Sequence, residues 1–153
     1  MTELKIRPAK VTDTEAIGRI ASLTDLFPAE MLDDMIAGYL GGVNPDLWFV
    51  ADDGGVRGFG FCEPERMADG AWNLLAIGVA PDWQGRGVGA AMLRHLEAAL
   101  KGAKARILIV ETLGTGDFQR TRDFYVKNGF DEEARIRDFY EDAGDKVVFW
   151  KRV

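Results

Sequence analysis

The passage that most constrains this chain is Val79-Ala80-Pro81-Asp82-Trp83-Gln84-Gly85-Arg86-Gly87-Val88-Gly89-Ala90, which joins an apolar run to a helix-periodic one. Three glycines at alternate positions keep Cβ atoms out of the turn, so successive N–H groups can close on an anion. Arg86 adds a positive charge at the same place. A strand-to-helix connection often needs one glycine for its geometry; three with an arginine exceed that need and point to a phosphate-bearing ligand.

Two nucleotide motifs compete for this passage. Gly85-Arg86-Gly87-Val88-Gly89-Ala90 fits the dinucleotide pattern G-x-G-x-x-A, and Glu111 lies near the end of the following strand, where a ribose-binding acid belongs. That pattern, however, expects its first glycine at the strand tip, whereas Pro81-Asp82-Trp83-Gln84 intervene here, and only 42 residues follow Glu111. A nicotinamide oxidoreductase is thereby disfavoured. A P-loop is excluded because no Lys-Ser or Lys-Thr follows the glycines.

A chain of 153 residues, 47% hydrophobic, supplies one core, and residues 1–153 are expected to form a single domain. Lys and Arg number 19 against 25 Asp and Glu, a net charge of −6 with no like-charge block, which argues against nucleic acid as the main partner. The single cysteine, Cys62, excludes an internal disulfide and a cysteine-rich metal site, and the single histidine, His95, leaves no histidine cluster. No metal is expected, and a reducing, cytoplasmic setting is the default. Met1 to Ala9 alternates charged and apolar residues without a signal-peptide core, and no apolar run approaches the roughly 20 residues that a bilayer demands, so no membrane partner is expected.

Periodicity orders the elements. Leu4 to Ala9 alternates as a strand; Thr12 and Glu15 make a capping-box pattern before a helix with Ile17, Ile20, Ala21 and Leu23 on one face. Pro28 introduces a second helix over Ala29 to Leu40, with Met31, Leu32, Met35, Ile36 and Leu40 on its buried side. Leu47 to Ala51 and Val56 to Cys62 flank the turn Asp52-Asp53-Gly54-Gly55 as a hairpin. Trp72 to Val79 reads as a central strand covered on both faces. The helix that begins at Val88 buries Met92, Leu96, Ala99 and Leu100 and ends at Gly102, and Arg106 to Thr112 is the next strand. Strand, crossover helix and strand imply a parallel pair within an otherwise antiparallel sheet. Asp117 can cap a last helix carrying Phe118, Thr121, Phe124 and Tyr125, stopped by Asn128-Gly129, after which Phe130 to Arg137 and Lys146 to Arg152 pair through a Glu141 to Asp145 turn. The fold class is α/β in the α+β sense: a mixed, mostly antiparallel sheet of six or seven strands with a central parallel pair, flanked by about four helices. His95 reads as a surface residue and Cys62 as a buried strand residue.

Val-x-Pro-x-x-Gln-Gly-Arg-Gly-x-Gly-Ala, following a strand and opening a helix, closely resembles the acetyl-CoA site of the GNAT superfamily of N-acetyltransferases. A second segment, Thr121-Arg122-Asp123-Phe124-Tyr125-Val126-Lys127-Asn128-Gly129-Phe130, resembles that family's later helix motif. The interval between the motifs and the element order match as well, so the resemblance covers nearly the whole chain. It implies a single GNAT-type domain that transfers an acetyl group from acetyl-CoA to a primary amine of a small molecule or peptide, by direct attack in a ternary complex.

The resemblance assigns the cofactor's pyrophosphate to Gln84, Gly85, Arg86, Gly87, Val88, Gly89 and Ala90, where N–H groups at a helix start offer a positive pole. It assigns the pantetheine arm to the backbone of Ile77, Gly78 and Val79, with the Val79 N–H facing the oxyanion. Tyr125 matches the tyrosine that protonates the coenzyme A thiolate. Phe118 stands where the family often has an asparagine touching the cofactor, which makes that contact apolar. Arg120 and Arg122 are further candidates for a cofactor phosphate. Asn73 falls where the histone-acetylating branch carries a glutamate base, and an amide cannot take the proton. A water held by Asn73, Glu111 on the neighbouring strand, Glu63 at the end of the meander, or free amine in equilibrium with ammonium remain open as the proton route.

No motif decodes the acceptor. Trp48, Trp72, Phe139, Tyr140 and Trp150 either line an acceptor pocket or belong to the core. An acidic cleft favours polyamines, aminoglycosides or basic peptide ends, whereas an exposed Arg135 or Arg137 favours amino-acid carboxylates. The expected partners are acetyl-CoA and an amine, with a homodimer left open. A non-catalytic acyl-CoA sensor or interaction module on the same fold is the alternative.

Overall fold

The computed structural model describes residues 3–153; Met1 and Thr2, part of the N-terminal segment read above for a signal peptide, lie outside them. Seven strands hydrogen-bond in the order β1-β2-β3-β4-β5-β7-β6: β1 (Lys5–Pro8), β2 (Leu47–Asp52), β3 (Val56–Pro64), β4 (Ala71–Val79), β5 (Ile107–Leu113), β6 (Asp131–Glu141) and β7 (Gly144–Arg152). Among the described residues four α-helices accompany them: α1 (Thr14–Leu23), α2 (Leu32–Leu40), α3 (Val88–Gly102) and α4 (Gln119–Lys127). This is the mixed α+β arrangement anticipated from the periodicity, at seven strands. Contacts divide the chain into two compact units, one running to Glu63 and resuming over Leu75–Ala99, the other comprising Pro64–Leu74 and Leu100–Val153. Among the described residues no helix is long and apolar enough to cross a membrane.

In the first unit, β1 pairs antiparallel with β2, and β2 with β3 across the expected hairpin, with a register shift at Ala51/Asp52. Gly54 takes a φ of 72° in that turn, and Asp53 N–H reaches Gly55 O at 3.0 Å, a geometry that favours glycine. Ile17, Ile20, Ala21, Leu32 and Ile36 of α1 and α2 bury against Trp48, Val50, Phe59 and Phe61. Trp48 stacks on Phe61 at 4.2 Å between centroids, so it belongs to the core and not to a pocket. Leu23 is 60% exposed and Met31 49%, contrary to the periodic reading, because each falls at an end of its helix, past the sheet that the central residues cover.

The entry to α1 differs from the expected Thr12/Glu15 box. A 3-10 turn over Val11–Asp13 precedes the helix, and the Asp13 carboxylate accepts the Lys10 N–H at 2.8 Å and two Arg7 guanidinium N–H groups at 2.8 and 2.9 Å. Thr12 falls inside this turn and not at the position before the helix, so its hydroxyl cannot serve as the cap. The Arg7 hydrogen bonds hold the Asp13 carboxyl below its ordinary value despite its burial.

In the second unit, Ala71–Leu74 of β4 run parallel to Ile107–Val110 of β5, and β5 is antiparallel to β7 along its whole length. Leu108 and Val110 alternate inward with Val147 and Phe149, joined by Phe130 and by Tyr125 from α4. The other sheet face carries Ile109, Glu111, Lys146, Val148 and Trp150, all half-buried. Every residue of β6 is exposed. The β6–β7 turn is tighter than Glu141 to Asp145, because the Asp138 carboxylate accepts the Ala143 N–H at 2.8 Å and Glu141 pairs directly with Gly144. α4 begins at Gln119 after a 3-10 turn over Gly116–Phe118, with no side-chain cap from Asp117. Arg122 ties the helix to the segment before it: its guanidinium is buried and donates to Leu113 O and Thr115 O, each at 2.8 Å.

Candidate active site

The glycine-rich turn lies wholly in the first unit. β4 ends at Val79, and Ala80 N–H donates to Arg57 O at 2.8 Å. Pro81, with its fixed φ and missing N–H, opens a 3-10 turn through Trp83, and the Gln84 side chain ties back to Val79 O at 3.1 Å. Gly85 (φ 75°) and Gly87 (φ 82°) then both adopt the left-handed region. A Cβ at either would meet nothing within 4 Å, so the glycines serve backbone conformation and leave open space in front of the turn. α3 begins at Val88, and Ala91 N–H to Gly87 O at 3.0 Å is an early intrahelical bond. The N–H groups of Val88, Gly89 and Ala90 therefore precede it at the positive end of a helix of 15 residues. Gln84, Gly85, Arg86 and Gly87 are exposed, while Val88 is buried and anchors the helix. This is a cradle that fits a phosphate group.

Ile77 and Val79 are half-buried, and Gly78 is buried for a packing reason the sequence concealed. A Cβ on Gly78 would sit 2.8 Å from Leu26 Cδ1 and 3.2 Å from Phe59, and a Cβ on Gly58 would sit 2.9 Å from Gly78 O. His95, expected at the surface, is half-buried against Phe49, with ring centroids 5.8 Å apart; its burial lowers its pKa. Cys62 is fully buried on β3 and its thiol is pushed up by desolvation, as a structural cysteine.

Within the second unit the structure brings Asn73 and Glu111 together. Asn73 is 5% exposed; its Nδ2 donates to Glu65 Oε1 at 3.0 Å and to Glu111 Oε1 at 3.4 Å, while its Oδ1 is buried without a partner. Turning the amide over would aim Oδ1 at two carboxylates, so the orientation is fixed electrostatically. Glu111 Oε2 in turn pairs with Lys146 Nζ at 2.8 Å, and that ammonium lies 4.2 Å from the Phe139 ring centroid. The Tyr140 hydroxyl is raised by burial first and by the Glu111 charge second. A buried acceptor beside two carboxylates suits a donor of positive charge. Sequence reading missed Glu65 and Lys146: Glu65 lies in a loop without periodicity, and Lys146 joins Glu111 only through the β5–β7 register. Glu63 is half-buried at the end of β3.

Tyr125 is 4% exposed in α4, ringed by Phe124, Phe130 and Phe149 at 5.4 to 5.7 Å between centroids. Burial pushes its hydroxyl well above the ordinary phenol value, so it keeps its proton throughout the neutral range. Phe118 is 37% exposed at the end of its 3-10 turn. Arg122, a phosphate candidate from its position, is instead consumed by the carbonyls of the β5–α4 connection.

Residues 44–132 match the family model described as an acetyltransferase (GNAT) domain. The amino-acid acetyltransferase of Ralstonia nicotianae is 33% identical over 84 residues; the match takes in 55% of this chain and only 17% of that longer relative. A GNAT-family protein from Desulfovibrio desulfuricans superposes with a TM-score of 0.88 at 25% identity, covering 98% of this chain and 99% of that one. The fold is also that of yncA from Salmonella typhimurium, solved with its cofactor acetyl-CoA, with a TM-score of 0.82, 17% identity and coverage of 99% and 94%. With the family model spanning more than half of the sequence, including the whole glycine-rich turn and Tyr125, the chain belongs to the GNAT acetyltransferase family.

Proposed function

We propose that residues 1–153 act as a single N-acetyltransferase domain that uses acetyl-CoA to acetylate a primary amine, on a small molecule or a peptide, by direct attack in a ternary complex. The observation that carries this reading is the pair of left-handed glycines, Gly85 and Gly87, with open space where their Cβ atoms would stand, directly before the start of α3. Val88, Gly89 and Ala90 add N–H donors, and exposed Arg86 adds a charge-assisted bond to a phosphate. Ile77, Gly78 and Val79 offer strand backbone to the amide-bearing arm, with the Val79 N–H polarising the thioester carbonyl. Phe118 contributes an apolar contact.

When bound, acetyl-CoA would supply an activated acyl carbon, with a thiolate as leaving group, for attack by the amine nitrogen. The acceptor arrives as an ammonium and must lose a proton before it attacks. The unpartnered Asn73 Oδ1 accepts a hydrogen bond from that amine or from the water that relays its proton, and Glu111, oriented by Lys146, is the nearby carboxylate that takes it. Tyr125, held neutral by its apolar surroundings, donates its proton to the departing thiolate and is reprotonated through solvent as the acylated nitrogen sheds its remaining surplus proton. Two carboxylates against one ammonium around Asn73 favour cationic acceptors.

The test is an amine panel scored by thiol release, alongside coenzyme A binding by the wild type and by Gly87→Glu. Acetyl transfer in the wild type, with coenzyme A affinity abolished in Gly87→Glu because a carboxylate fills the cradle, supports the reading. Retained affinity in that variant would overturn the assignment of the turn. Coenzyme A binding without transfer to any amine would favour a non-catalytic acyl-CoA sensor.

A further inference from the structure

Trp83, in the 3-10 turn before the glycines, carries two guanidinium groups. Arg57 Cζ lies 4.6 Å from its ring centroid and Arg86 Cζ 5.0 Å from the same point. Among the described residues neither arginine makes an ion pair. Like charges gathered on one indole repel each other, and a cation–π contact of about 0.5–2 kcal/mol per guanidinium offsets only part of that. Arg57 is also poorly supplied with acceptors. Its Nη2 reaches Asp53 O at a long 3.4 Å, and its Nε is buried with no acceptor at all. A buried donor of a charged group left unbonded is costly, so Arg57 depends on its terminal nitrogens, held by one long bond, for a charged acceptor.

The backbone is arranged to keep Arg57 beside the turn. Its carbonyl accepts the Ala80 N–H at 2.8 Å, which fixes β3 to the first residue after β4. A Cβ on Gly55 would stand 3.3 Å from Arg57 Cζ, so glycine there leaves room for the guanidinium beneath the β2–β3 hairpin. Arg57 sits outside the glycine-rich motif by some 30 residues of sequence, which is why no motif reading includes it.

We propose that Arg57 is a phosphate ligand of the cofactor site, binding a phosphoryl group of coenzyme A together with Arg86, with Trp83 as the rigid spacer that sets the two guanidiniums. The proposal rests on the reading of the turn as a coenzyme A site. An incoming phosphate supplies the acceptors Arg57 lacks and removes the repulsion across the indole.

Binding of coenzyme A, 3′-dephospho-coenzyme A and pantetheine to wild type, Arg57→Ala and Arg57→Lys tests it, read by calorimetry or Trp fluorescence, with thermal midpoints showing that the variants fold. Arg57→Ala is expected to weaken coenzyme A about ten- to hundredfold, the range for a charge-assisted bond, while leaving pantetheine unchanged. Arg57→Lys recovers part of the loss, since an ammonium keeps the charge without the planar fork. A loss that persists with the dephospho compound assigns Arg57 to the pyrophosphate, and a loss that vanishes there assigns it to the 3′-phosphate; either supports the proposal. Wild-type affinity in Arg57→Ala, or an equal loss for pantetheine, overturns it while the cofactor reading stands. A wild type that binds no coenzyme A overturns both.

Discussion

Lys146 Nζ lies 2.8 Å from Glu111 Oε2, while the other oxygen of that carboxylate faces the Asn73 amide at 3.4 Å. Both side chains of the ion pair are largely sheltered, at 14% and 26% exposure, so the pair holds the carboxylate in one orientation. A carboxylate pinned in this way beside an unpartnered buried oxygen is poised to act on something that brings positive charge.

Glu111→Gln keeps the shape and a hydrogen-bonding oxygen but removes the charge. It is expected to lower kcat about 100-fold, within the usual range for a general base, with the KM for acetyl-CoA unchanged. Lys146→Met, which only frees the carboxylate to reorient, is expected to cost about tenfold. Steady-state kinetics decide it, and a wild-type kcat in Glu111→Gln takes Glu111 out of the mechanism.

Tyr125→Phe removes one oxygen from an aromatic cluster that accommodates the ring unchanged. Folding and coenzyme A affinity should stay close to wild type, while kcat falls about 10²-fold or more if the hydroxyl is the acid. Because burial raises the hydroxyl above the ordinary phenol value, the pH profile of kcat should show no alkaline limb from this residue at or below about pH 10. An unchanged rate in the phenylalanine variant would reassign Tyr125 to packing.

Asp13→Asn tests the entry to α1. The carboxyl is held low mainly by the Arg7 hydrogen bonds, so its contribution is present above the unfolded pKa of about 4 and disappears as pH falls through the lower folded value. The variant should lose about 1–2 kcal/mol at neutral pH, the cost of removing one of the two carboxylates that hold the Arg7 guanidinium, since Asp52 Oδ2 stays at 3.2 Å from its Nε. Thermal melts of the two proteins should converge in acid. A gap that is the same at pH 3 and pH 7 would refute the ionic origin of the effect.

The order of the elements, the mixed sheet, the glycine-rich turn and the phenylalanine–tyrosine helix are all legible along the chain. Each is written in neighbouring residues: alternation for strands, a period near four for helices, glycine where φ turns positive. Local signals failed at boundaries and wherever a distant group competed. Thr12 falls inside a 3-10 turn that Asp13, paired with Arg7, closes onto Lys10; Arg122 left the surface because the Leu113 and Thr115 carbonyls needed donors; His95 of α3 found Phe49 of β2. That Asn73 bridges Glu65 and Glu111, that Lys146 faces Glu111 across the β5–β7 ladder, and that Arg57 shares an indole with Arg86 emerges only in the folded chain. Those relationships join residues up to 38 positions apart, and what fixes them is strand register and burial, which no window along the chain contains.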